Sequence, residues 1–318
     1  MKFEEITFVI QGIIVPSVTK KSIDTLRTVF PGSSIVISTW EGQDADQLGA
    51  DLVVYNKDPG STVFVYSKKD EPINININRQ IISSFYGLST VKTKYSAKLR
   101  ADNVLTKPEI VNIFAQFPMR NSKFSFLNRR LVCSNFYAKE FEKGLRIPFF
   151  FSDFFQFGET EDLLKLWSPD LYQDYEFRPK LSGKKQHENY PNDSVHVEQR
   201  IWSNLVSKFT PTELKDEHGN SNENKKSHDF MINNLIVVDG DILGLKVPER
   251  LQQSNDYPYE FLTFRRWKWL YSKEFGVEDT TPLSFKLKWY FSTLKSFLKS
   301  GVRLKLRKYA SQHLNKIN

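Results

Sequence analysis

The segment KLRADN, from Lys98 to Asn103, places two cations close to a carboxylate. Asp102 could hold a hard divalent cation, because such ions take oxygen ligands and often complete their shell with phosphates. Arg100 or Lys98 could instead pair with a diphosphate directly. The alternative is an Asp that ends a strand beside a surface Arg, which is common in proteins of any function. The pattern predicts an anion or metal site but does not choose between the two.

A second candidate is the segment NRQ at Asn78, Arg79 and Gln80, which opens a predicted helix. The free N–H groups of a helix N-terminus favour an anion, and the Arg79 side chain would add a positive charge. A polar first turn without a ligand is the alternative. We therefore treat Asn78 and Arg79 as candidate anion-binding residues.

Two carboxylates are candidates for proton transfer. Asp153 interrupts a run of five Phe in FFFSDFF, which is unusual for a core and compatible with a surface that binds sugars or hydroxyl groups. A carboxylate held there could act as a general base on an acceptor hydroxyl. Glu198, in the helix predicted at 197–209, is the other candidate. The alternative for both is a structural role as a cap or turn residue.

Other constellations are weak. The histidines His187, His196, His218, His228 and His313 show no metal-ligand spacing, and Cys133 is the single cysteine. The sequence contains no GxGxxG, GxxxxGK[ST] or GxSxG motif. These absences argue against a Cys-rich zinc site, a Rossmann dehydrogenase, a P-loop NTPase and an α/β hydrolase.

The candidate residues lie on a chain that alternates strands and helices. Short apolar runs predict strands at 6–10, 34–40, 51–55, 95–101, 130–136 and 235–238, and helical spacing predicts helices at 19–30, 78–91, 160–167 and 197–209. Such alternation indicates an α/β fold with a mostly parallel sheet. Ligands of these sheets bind at the carboxyl ends of the strands, where Gln11, Gly12, Asp58 and Asp102 fall.

Two segments are polar and predict loops. They are residues 178–196 and residues 215–227 (KDEHGNSNENKKS), and the second predicts the most mobile loop of the chain.

Positive charge is concentrated at the C-terminus. The 318 residues carry a net charge of +8, but residues 280–318 hold nine basic and no acidic residues, which leaves residues 1–279 at −1. A nucleic-acid enzyme would more often spread Lys and Arg over its binding face, so we expect no nucleic-acid partner. The tail is also amphipathic, because six apolar residues recur at helical spacing beside lysines: Leu283, Leu287, Tyr290, Phe291, Leu294 and Leu298.

This tail pattern is typical of an interfacial helix, so residues 283–309 predict contact with a membrane surface. The alternative is a helix packed on the core with a solvated basic face. No run of about 18 apolar residues predicts a membrane span, and the N-terminus lacks the pattern of a signal peptide. With a single cysteine, these features predict a cytoplasmic protein.

Several short motifs follow one another in a recognisable order. They are FVIQG at 8–12, FPG at 30–32, IVISTW at 35–40, DPG at 58–60, NRQ at 78–80, GL at 87–88 and YSAKLRAD at 95–102, with fainter continuation in FSD at 151–153, FG at 157–158 and ED at 161–162. In this order and spacing the sequence resembles the WavE family of lipopolysaccharide-synthesis proteins, most densely over residues 6–105.

The resemblance implies a GT-A-like glycosyltransferase fold and transfer of a sugar from a nucleotide-sugar donor to a lipopolysaccharide, O-antigen or capsule acceptor. Gln11, Gly12 and Asp58 would then line the nucleotide, and Asp102 would stand at the Asp-x-Asp metal position. Here the first Asp of that motif is replaced by Arg100. Asp102 could still hold Mn or Mg through the diphosphate, or Arg100 could neutralise the leaving group without a metal.

The expected organisation is a glycosyltransferase domain at 1–248 and a helical extension at 249–318. The domain would comprise a nucleotide-binding half at 1–105 and an acceptor half at 106–248. If the reaction inverts configuration, Asp153 is the first candidate for the base and Glu198 the second. The lipid-linked acceptors of this family would place the protein peripherally on the cytoplasmic face of the inner membrane. The alternative function is a non-catalytic, membrane-associated binding protein on the same fold.

Overall fold

The computed structural model describes residues 1–67, 69, 71–168, 170–174, 195–252, 259–306 and 309. Its strands are β1 (Ile6–Gln11), β2 (Ser34–Trp40), β3 (Leu52–Asn56), β4 (Thr62–Tyr66), β5 (Pro72–Ile75), β6 (Tyr95–Arg100), β7 (Val104–Leu105), β8 (Leu131–Ser134), β9 (Phe141–Glu142), β10 (Leu145–Arg146), β11 (Phe155–Glu159), β12 (Leu235–Val238) and β13 (Leu245–Lys246).

The helices among these residues alternate with the strands. They are α1 (Pro16–Val29), α2 (Ile77–Ser89), α3 (Glu109–Ala115), α4 (Thr160–Leu166), α5 (Val197–Ser207), α6 (Ser221–Asn234), α7 (Gly240–Leu243), α8 (Phe264–Phe275) and α9 (Leu283–Ser296). A π-helical turn, Phe297–Gly301, continues α9. No helix in the described part of the chain is both long and apolar enough to cross a membrane.

A seven-stranded sheet forms the centre of the molecule, in the order β12-β8-β11-β6-β1-β2-β3. All neighbours in β6-β1-β2-β3 pair in parallel, and β12 is parallel to β8. Only β11 runs the other way, between β6 and β8. The predicted α/β class with a mostly parallel sheet flanked by helices is therefore confirmed.

The strand order reverses beside β1. The chain moves from β1 to β2 and β3 on one side, and then returns to place β6 on the other side of β1. A crevice opens outside the carboxyl ends of the strands at such a reversal, and it is where sheets of this type bind ligands. The residues that follow β1 and β6 are therefore those best placed to meet a ligand.

Apolar side chains of the sheet and its helices make one continuous core, because most sheet strands are buried on both faces. Helix α2 approaches β1 and β2 very closely at Gly87, where a Cβ atom would lie 2.5 Å from Val9 Cγ1 and 2.8 Å from Ser38 Cβ. This contact fixes the helix whose first turn carries Arg79 and Gln80.

The predicted loop at 215–227 is wrong in its C-terminal part, because α6 begins at Ser221. Asn220 caps this helix because its Oδ1 accepts a hydrogen bond from the Asn222 N–H at 2.8 Å, and Glu223 Oε2 accepts one from the Asn220 N–H, also at 2.8 Å. A capping box of this kind satisfies helix N–H groups locally and starts a helix in a polar sequence. Most of the other predicted loop, residues 178–194, lies outside the described residues, as do His187 and His313.

The predicted boundary at residue 248 falls between β13 and α8. Helix α8 contributes Trp267, Leu270 and Tyr271 to the same core as the sheet. Helix α9 instead packs through Trp289 into a small separate cluster with Phe141 and Trp269. By its packing, α9 resembles a separate extension, whereas α8 packs as part of the domain. The boundary at residue 248 stays a prediction.

Candidate functional site

A cleft of about 760 Å³ lies at the carboxyl ends of β1 and β6. We call it the first cleft. Eight of the ten residues predicted from the sequence line it: Gln11, Gly12, Asp58, Arg79, Arg100, Asp102, Asp153 and Glu198. They come from six separate parts of the chain, so the fold gathers residues that share no local pattern. Their individual roles stay predictions.

Gln11 and Gly12 form the end of β1 at the floor of this cleft. The Gln11 side chain is almost fully buried, and its Oε1 accepts a hydrogen bond of 2.6 Å from Ser83 Oγ on α2. Gly12 has a φ of +106°, a conformation that side chains other than hydrogen disfavour. The glycine thus lets the chain turn out of the strand while leaving its backbone open to the cleft.

Asp58 and Arg79 make a bidentate ion pair on the opposite rim. Arg79 Nε and Nη2 donate to the two Asp58 carboxylate oxygens at 2.7 Å each. The Arg79 hydrogen bond lowers the pKa of Asp58, and the same bond raises the pKa of Arg79. A neighbouring predicted residue, Asn78, lies outside the lining and instead bonds the backbone of Tyr172 at 2.8 and 2.9 Å.

Arg100 and Asp102 form a second bidentate pair at the end of β6. Arg100 Nε and Nη2 donate to Asp102 Oδ1 and Oδ2 at 2.9 and 2.8 Å. Arg250 Nη2 donates to the same Oδ2 at 3.0 Å. Two guanidinium groups therefore surround one carboxylate, and the Arg250 side chain remains 69% exposed. We call these three residues the arginine cluster.

The arginine cluster stays charged in spite of its partial burial. Burial raises the pKa of Asp102, but the hydrogen bonds and charge of Arg100 and the charge of Arg250 outweigh it and lower that pKa. Burial lowers the pKa of Arg100, but the hydrogen bonds that it donates to Asp102, together with the negative charge of Asp102, outweigh this effect and raise that pKa. The cluster thus carries two positive charges and one negative charge, which suits an anion.

This donor set does not fit a divalent cation. Both oxygens of Asp102 are already bonded to guanidinium groups, so a metal would have to displace Arg100 and Arg250. Within the described ranges, no group of three His, Cys, Asp or Glu residues could hold a metal ion. Mg²⁺ and Mn²⁺ need several oxygen ligands, and here a single carboxylate faces two competing cations.

Asp153 lies in the wall of the first cleft with only 6% of its surface exposed. Its Oδ2 accepts a hydrogen bond of 2.6 Å from Gln80 Nε2, while its Oδ1 has no hydrogen-bond partner among the described residues. Lys98 lies beneath the cleft rather than in its lining, and its ammonium group bonds the Asp153 carbonyl oxygen. A buried carboxylate oxygen without a hydrogen-bond partner, in a residue that lines a cleft, is suited to accept a proton or a hydroxyl hydrogen bond.

Glu198 lines the same cleft from the first turn of α5. Burial raises the pKa of Glu198 to about 8, with the negative charge of Asp153 as a further cause. Burial also lowers the pKa of Lys98 to about 7. Perturbed groups of this kind cluster at functional sites more often than elsewhere, because proton transfer near neutral pH requires them.

The structure adds site residues that the sequence alone did not indicate. Arg250, Tyr137 and His196 also line the first cleft. Arg250 lies 148 positions from its partner Asp102, and the turn Glu249–Leu251 that carries it has no motif. Tyr137 immediately follows the predicted strand 130–136, so its position at a strand end does indicate a candidate site residue. His196 was considered only for metal spacing, although it immediately precedes a predicted helix.

These observations define an α/β protein with an arginine-lined cleft at a sheet reversal and two carboxylates in the same cleft. The sequence model of the WavE lipopolysaccharide synthesis family matches residues 6–302. The chain therefore belongs to the WavE family, and the resemblance predicted from the sequence is confirmed.

Comparisons with individual proteins do not add to the family assignment. None of the curated proteins matches the sequence. Similar solved structures include an active-site mutant of LgtC, with 8% identity, a TM-score of 0.32 and coverage of 50% of this chain and 59% of that one. Another is the apo-form glycosyltransferase GlyE of Streptococcus pneumoniae TIGR4, with 12% identity, a TM-score of 0.31 and coverage of 64% and 43%. The chain thus covers less than two thirds of the length of either structure.

Proposed function

We propose that this protein is a glycosyltransferase that moves a sugar from a nucleotide-sugar donor to a lipopolysaccharide, O-antigen or capsule acceptor. Membership of a lipopolysaccharide synthesis family supports the pathway. The observation that carries the proposal is the first cleft itself, where the arginine cluster faces two carboxylates at the reversal of a parallel sheet. The GT-A-like description of the fold is part of this proposal.

The donor would lie over β1 and β6 with its diphosphate at the arginine cluster. Gln11, Gly12, Asp58 and Arg79 would contact the nucleotide. Asn78 and Lys98 would support the site from outside its lining, through Tyr172 and Asp153. Guanidinium groups make bidentate, charge-assisted hydrogen bonds to phosphate, so Arg100 and Arg250 can exchange Asp102 for phosphate oxygens. Because the donor set disfavours a metal, the proposed enzyme works without Mn or Mg.

The chemistry is displacement at the anomeric carbon of the donor sugar. The bond from that carbon to the diphosphate oxygen breaks, and a bond to the acceptor hydroxyl oxygen forms. The electron pair leaves with the nucleoside diphosphate, whose charge Arg100 and Arg250 stabilise. In an inverting reaction the acceptor proton passes to a carboxylate of the first cleft. In a retaining reaction neither carboxylate needs that role.

Asp153 and Glu198 are the two carboxylates that we propose to act on the acceptor. Asp153 presents an unpartnered oxygen but is held by Gln80. Glu198 has the raised pKa that suits transfer of a proton near neutral pH. Asp153 remains the first candidate for the base because its free oxygen is buried in the wall, and Glu198 the second.

Helix α9 would hold the enzyme on the cytoplasmic face of the inner membrane. Its apolar stripe faces away from the protein: the exposed members are Leu283, Leu287, Tyr290, Phe291, Leu294 and Leu298, between 48% and 69% exposed. Trp289 and Ser296 face the body instead. The arrangement favours the interfacial helix over the alternative in which the stripe packs on the core. Arg307 and Lys308 of the predicted surface lie outside the described residues.

Release of nucleoside diphosphate from a panel of nucleotide sugars tests this function, with bacterial lipopolysaccharide as acceptor and with EDTA present or absent. We expect one donor to be consumed in EDTA, and the Arg100→Gln variant to lose the activity. A donor that binds without being consumed would instead favour the non-catalytic binding protein. Absolute dependence on added metal would contradict the role given to the arginine cluster.

A further inference from the structure

A second cleft, of about 1030 Å³, opens along the same edge of the sheet, at the carboxyl ends of β8 and β12. Asn135 and Asp239 are the residues that follow these two strands, and both line it. Because β8 and β12 point in the same direction as β1 and β6, the two clefts lie on one edge of the molecule. Like the first cleft, the second lies at the carboxyl ends of parallel strands, where sheets of this type bind ligands.

The lining of the second cleft suits a polyhydroxylated ligand. Asp239 Oδ1 accepts hydrogen bonds from Asn135 Nδ2 at 2.9 Å and from the Phe264 N–H at 3.1 Å. Its other oxygen, Oδ2, makes no hydrogen bond among the described residues. Carboxylates accept from sugar hydroxyls, and the side chains of Asp241 and Lys246 add an acceptor and donors at the exposed rim.

Aromatic rings connect the second cleft with the first. Phe136, in the second cleft, stacks on Phe154 with ring centroids 6.3 Å apart. Phe154 lines the first cleft, where it also packs against Tyr137 at 5.3 Å and under the Arg100 guanidinium at 5.0 Å. The two clefts are thus joined by a pair of stacked rings, one in the lining of each.

The second cleft also adjoins the C-terminal end of α9. Phe261 lines the cleft, and Glu260 before it accepts hydrogen bonds from Ser296 Oγ on α9 and from the Gly144 N–H. The apolar face of α9 points away from this attachment. The second cleft is therefore joined to α9 through two neighbouring residues, Glu260 and Phe261.

We propose that the second cleft binds the acceptor, as the saccharide of a lipid-linked glycan. This rests on the proposed function, because it takes the first cleft to be the donor site. The acceptor saccharide stacks on Phe136, hydrogen-bonds Asp239 and the rim residues Asp241 and Lys246, and extends its reacting hydroxyl past Tyr137 toward Asp153.

The test is direct binding of a lipid-free probe, core oligosaccharide released from lipopolysaccharide by mild acid, measured by saturation-transfer NMR and calorimetry. It is made with and without nucleoside diphosphate, so it does not depend on turnover. The Asp241→Ala/Lys246→Ala double variant changes two exposed rim residues without changing net charge. The matched control is Lys20→Ala/Asp24→Ala, an exposed ion pair on α1.

We expect the rim variant to raise the oligosaccharide Kd at least tenfold and the control to leave it unchanged. A conservative Phe136→Leu variant should also weaken binding while nucleotide binding is retained. Equal binding by wild type and rim variant would overturn the proposal, and so would failure of the wild type to bind oligosaccharide in either nucleotide state. If neither wild type nor any variant bound nucleotide, the result would count against the proposed donor site. Oligosaccharide binding would still report on the second cleft.

Discussion

At the scale of single residues, Arg100 occupies a position that the family resemblance would give to a metal-binding Asp. The guanidinium group turns Asp102 from a free ligand into the partner of a bidentate ion pair. The pair orients Arg100 toward the cleft, and a phosphate with stronger charge can compete for the same donors. Replacing the arginine should therefore affect anion binding more than folding.

We expect Arg100→Gln to weaken binding of the donor nucleoside diphosphate about 10- to 100-fold, since hydrogen bonds to charged groups contribute roughly 1.5–3 kcal/mol each. Isothermal titration in EDTA measures the change. The matched control is Arg27→Gln on α1, which removes an exposed arginine paired with Asp51. If the two variants bind the nucleotide equally well, Arg100 is not a diphosphate ligand.

Glu198 gives a prediction for the pH dependence of stability. Its folded-state pKa of about 8 lies above the usual value for Glu, so the folded protein keeps a proton that the unfolded chain loses. Stability from this group is therefore fully present below about pH 4.5 and falls as the pH rises toward 8. The Glu198→Gln variant cannot lose that proton.

We expect the stability of Glu198→Gln relative to wild type to increase between pH 5 and pH 8, by on the order of 1 kcal/mol. Urea denaturation at several pH values measures it. The Glu41→Gln variant, at an exposed position, corrects for the loss of a surface carboxylate. A constant difference between Glu198→Gln and wild type across this range would show that Glu198 is not protonated in the folded protein.

At the scale of secondary-structure elements, the exposed apolar stripe of α9 and of the π-helical turn after it leads us to expect reversible binding to anionic membranes. Burial of its apolar stripe would contribute about 25 cal/mol per Å², and the basic residues beside it would add a salt-sensitive attraction. We expect the Phe291→Ser/Leu298→Ser variant to bind phosphatidylglycerol vesicles at least tenfold more weakly in a sedimentation assay.

Both substituted side chains are more than 60% exposed, so the fold should tolerate their loss. Tyr86→Ser/Met119→Ser removes two exposed apolar side chains elsewhere and is the control. Vesicle binding that is the same for both double variants would show that α9 does not dock on the membrane.

The elements also show what a sequence can and cannot predict. The strands Ser34–Trp40 and Leu235–Val238 were predicted with their observed bounds because buried parallel strands are continuous apolar runs. The sequence analysis does not predict the hairpin of β4 and β5 or the antiparallel strand β11. The hairpin has a usable signal, because 62–66 is a run of β-branched and aromatic residues and Ile alternates with Asn over 73–76. Helix α6 was predicted as part of a loop because its start depends on a cap rather than on apolar spacing.

Prediction of the site depended on the same physics. Residues at strand ends could be predicted, because a parallel sheet brings all its carboxyl ends to one edge. Arg250 could not be predicted, because β13 pairs with β7 and returns the chain to Asp102 from a distant part of the sequence. Tertiary contacts of this kind leave no local pattern.

At the scale of the whole molecule, one sheet edge carries the first cleft and the second cleft, and the second adjoins the attachment of α9. The body of the chain is close to neutral, while its C-terminal 39 residues carry nine basic residues and no acidic ones. Charge is thus placed where it would meet an anionic surface. The arrangement would bring a lipid-linked acceptor and a soluble nucleotide sugar together at one boundary.

The most direct test of this account is the thermal stability of the protein with nucleoside diphosphates and nucleotide sugars, each with EDTA, Mg or Mn. A ligand at 100 times its Kd stabilises a fold by about 2.7 kcal/mol. We predict that one nucleotide class raises the Tm by several degrees, equally in EDTA and in metal, and that Arg100→Gln/Arg250→Gln abolishes the rise. No shift with any nucleotide at millimolar concentration, or a shift that survives in the double variant, would contradict the account.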